Sequence, residues 1–249
     1  MQKQTFLITG AANRIGAAIA EGLAVDGHNV VIHYNHSDDD AAALAEKLNA
    51  RGLKAAIEGA DLTDQAQYDT LIERASKHFG PLTGLINNAS LFKPDSIDDL
   101  IHDLWHKHFS VHAEAAMFLA KDFAGQLPKD KHGLIVNMID QRVWALKPSF
   151  FSYTLSKSVL WTATRTLAQA FAPHIRVNAI GPGPTLQNEH QTEAEFKEEL
   201  ESLPLKTGPA LDEIVDTIRY FLTAKSVTGQ MIAMDGGQHL IWTDIGETN

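Results

Sequence analysis

The chain contains 249 residues, of which 44% are hydrophobic and 21% are charged, a balance typical of a globular protein long enough for one large domain. Its formal net charge of -10 argues against nucleic acids and anionic membranes as partners, and the lack of cysteine excludes disulfides and thiolate metal sites. Because no signal-like segment or apolar run of ~18 residues is apparent, we expect a cytoplasmic protein without a membrane span.

Strand and helix patterns alternate along the chain. Strands are predicted at residues 5–9, 30–34, 54–58, 85–88, 134–138, 175–180 and 231–234, and helices at 15–26, 39–51, 64–79, around 102–123, and at 151–171. The strands are apolar without alternation, which is typical of parallel strands buried on both faces. The pattern predicts an α/β fold, a doubly wound parallel sheet in a single dinucleotide-binding catalytic domain over residues 1–249.

One region breaks the alternation. Residues 185–209 are rich in Glu, Gln, Thr and Pro. We expect an inserted lid there, over the carboxyl ends of the strands, with the polar face of a helix at residues 193–201.

The first strand leads into Thr9-Gly10-Ala11-Ala12-Asn13-Arg14-Ile15-Gly16. A dinucleotide site needs such a turn, because the backbone must approach a pyrophosphate that faces the start of the helix. Gly16 would also permit close packing between helix and strand. A plain tight turn is the alternative for this motif when it is taken alone.

Tyr153 and Lys157 lie four residues apart on a predicted helix, and Asp140 precedes the tyrosine by thirteen residues. The spacing places the phenol and the ammonium on one helix face, where the cation should lower the pKa of the phenol. The pair therefore predicts a proton donor with a cation that tunes it, although most such pairs are solvated helix surface.

Together with these motifs, Asp61-Leu62, Asn87-Asn88-Ala89, Arg176-Val177-Asn178, Gly181-Pro182-Gly183 and Asp235-Gly236-Gly237 have the order and spacing of the short-chain dehydrogenase/reductase family. The chain resembles that family over nearly its whole length. The resemblance implies a Rossmann fold, a nicotinamide cofactor, a small-molecule substrate and usually a homotetramer.

Two departures from the family pattern narrow the resemblance. Arg14 stands where the family has glycine, and Asp140 stands where it has the catalytic serine. Both resemble the pteridine reductase and dihydromonapterin reductase subgroup, as do residues 33–37, 88–92, 183–190 and 235–240. Phe92 occupies the position at which that subgroup stacks the pterin.

The resemblance implies three sets of site residues. The catalytic set is Asp140, Tyr153, Lys157 and His112. The cofactor set is Gly10, Arg14, Ile15, Gly16, His36, Ser37, Asp61, Leu62, Asn88, Ala89, Tyr153, Lys157, Pro182 and Gly183. The substrate set is Arg14, Phe92, Asp140, Tyr153 and Leu186.

The chemistry of Asp140 and Arg14 favours the same substrate class. An ionised carboxylate accepts hydrogen bonds from ring N–H groups, and a carboxyl kept neutral by burial can donate to a ring nitrogen. The alternative is a structural Asp140 that caps the following loop. Arg14 could bridge cofactor phosphate and substrate, or be a solvated arginine.

The end of the second predicted strand favours NADPH over NADH. An acidic residue there binds the ribose 2′-hydroxyl of NAD and repels a 2′-phosphate. This chain has His36 and Ser37, with no acid before Asp38. A solvated loop position is the alternative for His36.

His112 replaces the helix asparagine that relays protons in the family. An imidazole that donates and accepts in that relay and a buried histidine with ordinary partners are both open interpretations. Other histidines lie nearby, but no carboxylate or thiol completes a set of ligands, so we expect no metal site.

The sequence predicts an NADPH-dependent reductase that transfers hydride to a pterin-like substrate such as a dihydropterin or dihydrofolate. A generic short-chain oxidoreductase acting on a small carbonyl or hydroxyl compound is the second hypothesis. A dinucleotide-binding redox sensor is the third, and an intact pair of Tyr153 and Lys157 argues against it.

Overall fold

The computed structural model describes residues 3–188 and 191–241. Glu189 and His190, which end the subgroup-like segment 183–190, lie outside the described residues. Within these described ranges, seven parallel strands form one sheet: β1 (Thr5–Ile8), β2 (Asn29–Tyr34), β3 (Lys54–Gly59), β4 (Gly84–Asn87), β5 (Gly133–Met138), β6 (Ile175–Pro182) and β7 (Met231–Met234). Their spatial order is β3-β2-β1-β4-β5-β6-β7, which confirms the predicted doubly wound sheet.

Helices cover both faces of the sheet. They are α1 (Arg14–Val25), α2 (Asp38–Ala50), α3 (Gln65–Tyr68), α4 (Leu71–Phe79), α5 (His102–Phe109), α6 (Ala115–Gln126), α7 (Phe151–Phe171), α8 (Glu193–Ser202) and α9 (Leu211–Thr223). The predicted helix at 64–79 is divided into α3 and α4. The one around 102–123 is interrupted by a π-helical segment, Ser110–Glu114, between α5 and α6.

Adjacent side chains of one strand enter different cores. Phe6 and Ile8 of β1 pack in a cluster with α1, α2 and α9, whereas Leu7 packs in a second cluster with α4, α6 and α7. All three are fully buried. Burial on both faces explains why the strand sequences are continuously apolar.

The helix α9 was not predicted. Its residues Ile214, Ile218 and Phe221 are fully buried, and the helix packs beside α1. The carboxylate of Glu213 accepts the N–H of Ala210 at 2.7 Å, which satisfies one free donor at the helix start. Apolar residues at helical spacing were the signal that could have found it.

The predicted lid region contains the expected helix. In α8, Thr192 and Glu195 form a reciprocal cap, with N···O distances of 2.7 and 3.2 Å. No side chain of α8 is fully buried, and the neighbouring Leu203, 2% exposed, anchors its carboxyl end. In the part of the chain that is described, no helix has both the length and the apolar character needed to cross a membrane.

Candidate active site

The predicted site residues converge at the carboxyl ends of the central strands. Gly10 follows β1, Asn88 follows β4, Asp140 follows β5, and Gly183 follows β6. The strand order reverses between β1 and β4, and ligands of doubly wound sheets bind at such a point.

Asp140, Tyr153 and Lys157 form one hydrogen-bonded group. The Tyr153 hydroxyl donates to Asp140 Oδ2 at 3.0 Å. Lys157 Nζ donates to the carbonyl oxygen of Met138 at 2.8 Å and lies 5.7 Å from the centre of the Tyr153 ring. Tyr153 and Lys157 are only 4% and 2% exposed, so the solvated-surface alternative does not hold for this pair.

The start of α7 is fixed by a carboxylate from a distant loop. Asp95 accepts the N–H of Ser152 at 3.1 Å and also binds the Ser152 hydroxyl. Asp95 is 5% exposed and Ser152 is fully buried. This cap holds the first turn of α7, and therefore Tyr153, in place.

The pKa values in this group follow from burial and from the Asp140 charge. Burial raises the pKa of the Asp140 carboxyl. Burial and the neighbouring Asp140 raise the pKa of the Tyr153 hydroxyl well above its usual range. Burial lowers the pKa of Lys157 to about 8, partly opposed by Asp140.

These directions contradict one expectation. The sequence interpretation assigned Lys157 the role of lowering the pKa of Tyr153, but the pKa of Tyr153 is raised. The hydroxyl faces Asp140, whereas the ammonium faces the Met138 carbonyl and the ring. Tyr153 therefore keeps its proton at neutral pH, which suits a proton donor.

Asp140 also caps the loop that follows it. Its Oδ1 accepts the N–H of Arg142 at 2.8 Å, at the start of a 3₁₀ turn, Gln141–Val143. The structure therefore shows the loop cap on Oδ1, whereas Oδ2 binds Tyr153, and a role of Asp140 toward a substrate stays a prediction.

The glycine turn requires its small residues. Gly10 has φ +59°, and a Cβ there would lie 2.8 Å from Ala89 Cα. A Cβ on Gly16 would lie 2.3 Å from the Gly10 carbonyl oxygen. The predicted close packing at Gly16 is thus present, and the turn at the start of α1 has the small residues that a pyrophosphate site requires. Ile15, partly buried, packs on the adjacent core.

Two residues that sequence analysis did not assign hold this turn. Thr9 Oγ1 accepts the N–H groups of Asn88 and Ala89, both at 2.9 Å. His33 Nδ1 accepts the Gly10 N–H at 3.0 Å, and its Nε2 lies 3.0 Å from the Ala60 carbonyl oxygen. Burial lowers the pKa of His33 to about 4, so the ring is neutral and Nε2 carries its proton.

Other predicted cofactor residues lie around the same edge. The Asn88 side chain donates to the carbonyls of Thr9 and Gly10, both at 2.9 Å, so it shapes the turn. His36 is exposed, and Ser37 precedes α2 without a hydroxyl cap to the described backbone.

The remaining cofactor positions belong to tight turns. Asp61 Oδ1 binds the N–H and hydroxyl of Thr63, both at 2.8 Å, next to buried Leu62. At the end of β6, after Pro182, the Gly183 N–H donates to the Met234 carbonyl at 2.9 Å. The roles of these residues in cofactor binding remain predictions.

The predicted substrate residues approach from two sides. The Arg14 guanidinium donates to the carbonyl oxygens of Leu186 at 3.3 Å and Gln187 at 3.1 Å, which links the glycine turn to the lid. Phe92 is 37% exposed, and its ring centre lies 4.9 Å from that of Tyr153 in an edge-to-face arrangement. Phe92 therefore adjoins the group formed by Asp140, Tyr153 and Lys157, and its stacking on a pterin stays a prediction.

His112 lies in the π-helical segment and is 1% exposed. Its Nε2 accepts the Leu91 N–H and lies close to the Ser90 hydroxyl, both at 3.0 Å, so Nδ1 carries the proton and donates to Ser156 Oγ at 2.8 Å. Burial and then Lys157 lower its pKa well below the usual range. These partners are those of a buried, satisfied histidine, and its part in a proton relay stays a prediction.

Phe150, for which the sequence left open a place in the pocket, in a subunit contact or in the core, borders the site together with Arg142, which was not assigned from sequence. Phe150 stacks on Phe92 with ring centres 4.3 Å apart and an interplanar angle of 13°. The Arg142 guanidinium lies 4.7 Å from the Phe150 ring centre. A cation two residues after Asp140 was the available signal.

Known proteins resemble this arrangement in sequence and structure. FolM alternative dihydrofolate reductase 1 from Brucella canis, solved in complex with NADP, is 51% identical, with a TM-score of 0.95 over 98% of this chain and 97% of that chain. Pteridine reductase 1 of Leishmania tarentolae is 31% identical over 280 residues, covering 94% of this chain and 96% of the relative.

A 3-oxoacyl-[acyl-carrier-protein] reductase of Staphylococcus epidermidis is 27% identical over 94% of this chain and 98% of the relative. The family model for enoyl-(acyl carrier protein) reductases matches residues 10–239. With this match and the pteridine reductase relative, the chain belongs to the short-chain dehydrogenase/reductase family of oxidoreductases.

Proposed function

We propose that this protein is an NADPH-dependent reductase that transfers a hydride to a pterin ring, such as that of a dihydropterin or dihydrofolate. The observation that carries the proposal is the hydrogen bond, 3.0 Å long, between the Tyr153 hydroxyl and Asp140 Oδ2. A carbonyl substrate needs a donor at the position of Asp140. A ring with N–H groups and a C=N bond instead matches a carboxyl group that can accept, or donate when protonated.

The residues at the sheet edge fit a dinucleotide. Gly10 and Gly16 pack so closely on Ala89 and on the Gly10 carbonyl that neither position has room for a side chain, which keeps the turn tight at the start of α1, where a pyrophosphate would bind. Exposed His36 and half-buried Ser37, with no acid between them and β2, suit a 2′-phosphate. When bound, the nicotinamide of NADPH supplies the hydride, while the protein positions the reacting groups.

Three groups of this chain manage charge and protons. Tyr153 retains its proton because its pKa is raised, so the hydroxyl can donate to a substrate nitrogen. Burial raises the pKa of the Asp140 carboxyl, so it takes up a proton more readily than an exposed carboxylate and could pass that proton to a ring nitrogen. Lys157, held by the Met138 carbonyl, keeps a cation beneath the Tyr153 ring.

The relatives support this substrate class. The protein from Brucella canis is named an alternative dihydrofolate reductase and was solved with NADP, and the Leishmania relative is named a pteridine reductase. Both names agree with the carboxyl group at Asp140 and the aromatic ring at Phe92. From the family resemblance and the lack of cysteine, we further propose a cytoplasmic homotetramer. Exposed apolar residues of α7, Leu155 and Val159, are available for subunit contacts.

A reductase of small carbonyl compounds is the second candidate, favoured by the 27% identity to the 3-oxoacyl reductase and by the Tyr153 and Lys157 pair that such enzymes also need. The two candidates are separated by following NADPH oxidation with dihydrobiopterin, dihydrofolate and a panel of simple ketones and 3-oxoacyl thioesters. We expect turnover with the dihydropterins. Rapid reduction of carbonyl compounds with no reduction of any pterin would refute the proposal.

A further inference from the structure

A cation beside the catalytic group has no assigned role. Arg142 lies two residues after Asp140, and the backbone N–H of Arg142 donates to Asp140 Oδ1 at 2.8 Å. This bond fixes the backbone from which the Arg142 side chain extends toward Phe150. The position of the guanidinium is therefore tied to the carboxyl group that faces Tyr153.

The guanidinium lies over two stacked rings. Its central carbon is 4.7 Å from the centre of the Phe150 ring and 5.9 Å from that of Phe92. Within residues 3–188 and 191–241, Arg142 makes no side-chain hydrogen bond and no ion pair, whereas Arg74 and Arg219 each bind a carboxylate. Ring contacts orient a guanidinium but leave its N–H donors available.

The backbone of Phe150 is held in an unfavourable conformation. Its φ of +55° is left-handed, a conformation that costs roughly 1–2 kcal/mol for a residue with a Cβ. Phe150 lies directly before α7, and with this backbone conformation its ring stacks on Phe92. Such outliers, where the surrounding structure maintains them, are concentrated at ligand-binding sites.

We propose that Arg142, together with the rings of Phe92 and Phe150, binds an acidic tail carried by the pterin substrate, so that the enzyme favours pterins with a carboxylate-bearing aryl tail over pterins with a neutral tail. The inference rests on the proposed function. A planar aryl group can stack on the exposed part of these rings. A guanidinium binds a carboxylate with two parallel hydrogen bonds, which a neutral tail cannot accept in that way.

The test must separate tail binding from catalysis, because the charge of Arg142 also lowers the pKa of both Asp140 and Tyr153. A change in kcat shared by all pterins therefore says nothing about the tail. The readout is the ratio of KM values for dihydrofolate, with its carboxylates, and dihydrobiopterin, with a neutral tail.

We expect Arg142→Gln to raise the KM for dihydrofolate roughly 10- to 100-fold, as for loss of a charge-assisted hydrogen bond. The KM for dihydrobiopterin should stay within about threefold, and Arg142→Lys should recover part of the loss. Lys147→Gln, which removes an exposed cation from the same loop, is the matched control and should leave the ratio unchanged.

A second measurement does not depend on turnover of the tailed substrate. p-Aminobenzoyl-glutamate, the isolated tail, should inhibit dihydrobiopterin reduction by the unmodified enzyme, less so at high salt, and should not inhibit Arg142→Gln. Equal KM changes for both pterins, or equal inhibition of both proteins, would overturn the proposal while leaving pterin reduction intact. An unmodified enzyme that reduces neither pterin would refute the proposed function itself.

Discussion

Replacing Asp140 with asparagine tests the role of its carboxyl group with little change in shape. The Arg142 N–H, 2.8 Å from Oδ1, requires an acceptor and so fixes the orientation of the new amide. The amide nitrogen must then take the position of Oδ2, 3.0 Å from the Tyr153 hydroxyl. Because that nitrogen can only donate, the hydrogen bond between the two groups reverses direction.

The reversal removes a group that can hold and release a proton. Loss of a general acid typically lowers kcat by ~10²–10⁴-fold, or about 3–5 kcal/mol in transition-state stabilisation. We expect that loss with dihydropterins. Because the loop cap is kept, the free energy of unfolding should change by less than about 1 kcal/mol. Asp130→Asn, at a side chain that is 78% exposed, is the matched control.

The pH dependence gives a sharper readout. In the unmodified protein, the Asp140 carboxylate raises the pKa of Tyr153 by its charge and by its hydrogen bond. Removing that charge lowers the pKa of the tyrosine, so the alkaline limb of kcat should move to lower pH. Steady-state NADPH oxidation over a pH series measures both effects.

A serine at the same position separates the substrate classes. Asp140→Ser retains a hydroxyl that can donate to a carbonyl oxygen, so activity on simple ketones should fall much less than activity on dihydropterins. The reasoning would be refuted if kcat of the Asp140→Asn enzyme fell at the same alkaline pH as that of the unmodified protein and its activity on pterins were nearly full. Equal losses by the serine variant on both substrate classes would also refute it.

Tyr153→Phe should lower turnover by ~10²–10⁴-fold while NADPH still binds, with exposed Tyr220→Phe as control; a near-normal rate in the variant would exclude Tyr153 as proton donor. NADPH should bind more tightly than NADH in a fluorescence titration, and Ser37→Ala should narrow the difference; equal affinities of the unmodified protein would contradict this. Gly16→Ala places a Cβ 2.3 Å from a carbonyl oxygen and should lower the melting temperature and NADPH affinity together; an unchanged melting curve would show that the backbone can adjust. The pKa of His33 is about 4 in the folded protein and near 6.5 in the unfolded chain, so the free energy of unfolding should fall by about 3 kcal/mol as the pH drops from 6.5 to 4. Urea unfolding over a pH series measures this loss. If His33→Asn lost stability over the same pH range to the same extent, His33 would not be its source.

The sheet was predicted well from the sequence because each buried strand is marked by its own short run of apolar residues. Buried parallel strands need continuous apolar residues, and the observed bounds differ from the predicted ones by at most two residues. The α9 signal was equally local, with Ile214, Ile218 and Phe221 at helical spacing. It was missed because only the lid was assigned between β6 and β7.

Partners distant in the chain could not be predicted in this way. Asp95 caps α7 through Ser152, 57 positions away, and His33 supports Gly10 across 23 positions. Each residue type is unremarkable at its position, so only the folded geometry shows what it binds. The wrong direction for the pKa of Tyr153 has the same origin, because the orientation of Lys157 toward the Met138 carbonyl depends on β5.

The backbone conformation of Arg14 bears on why this chain has arginine where the family has glycine. In the described residues, the non-glycine positions with positive φ are Arg14, Phe150 and Lys206. A glycine at either of the first two would relieve strain of roughly 1–2 kcal/mol. It would also remove the guanidinium that reaches the lid carbonyls, or the ring that stacks on Phe92. Strain retained where a side chain reaches the candidate site favours a functional over a structural explanation for both residues.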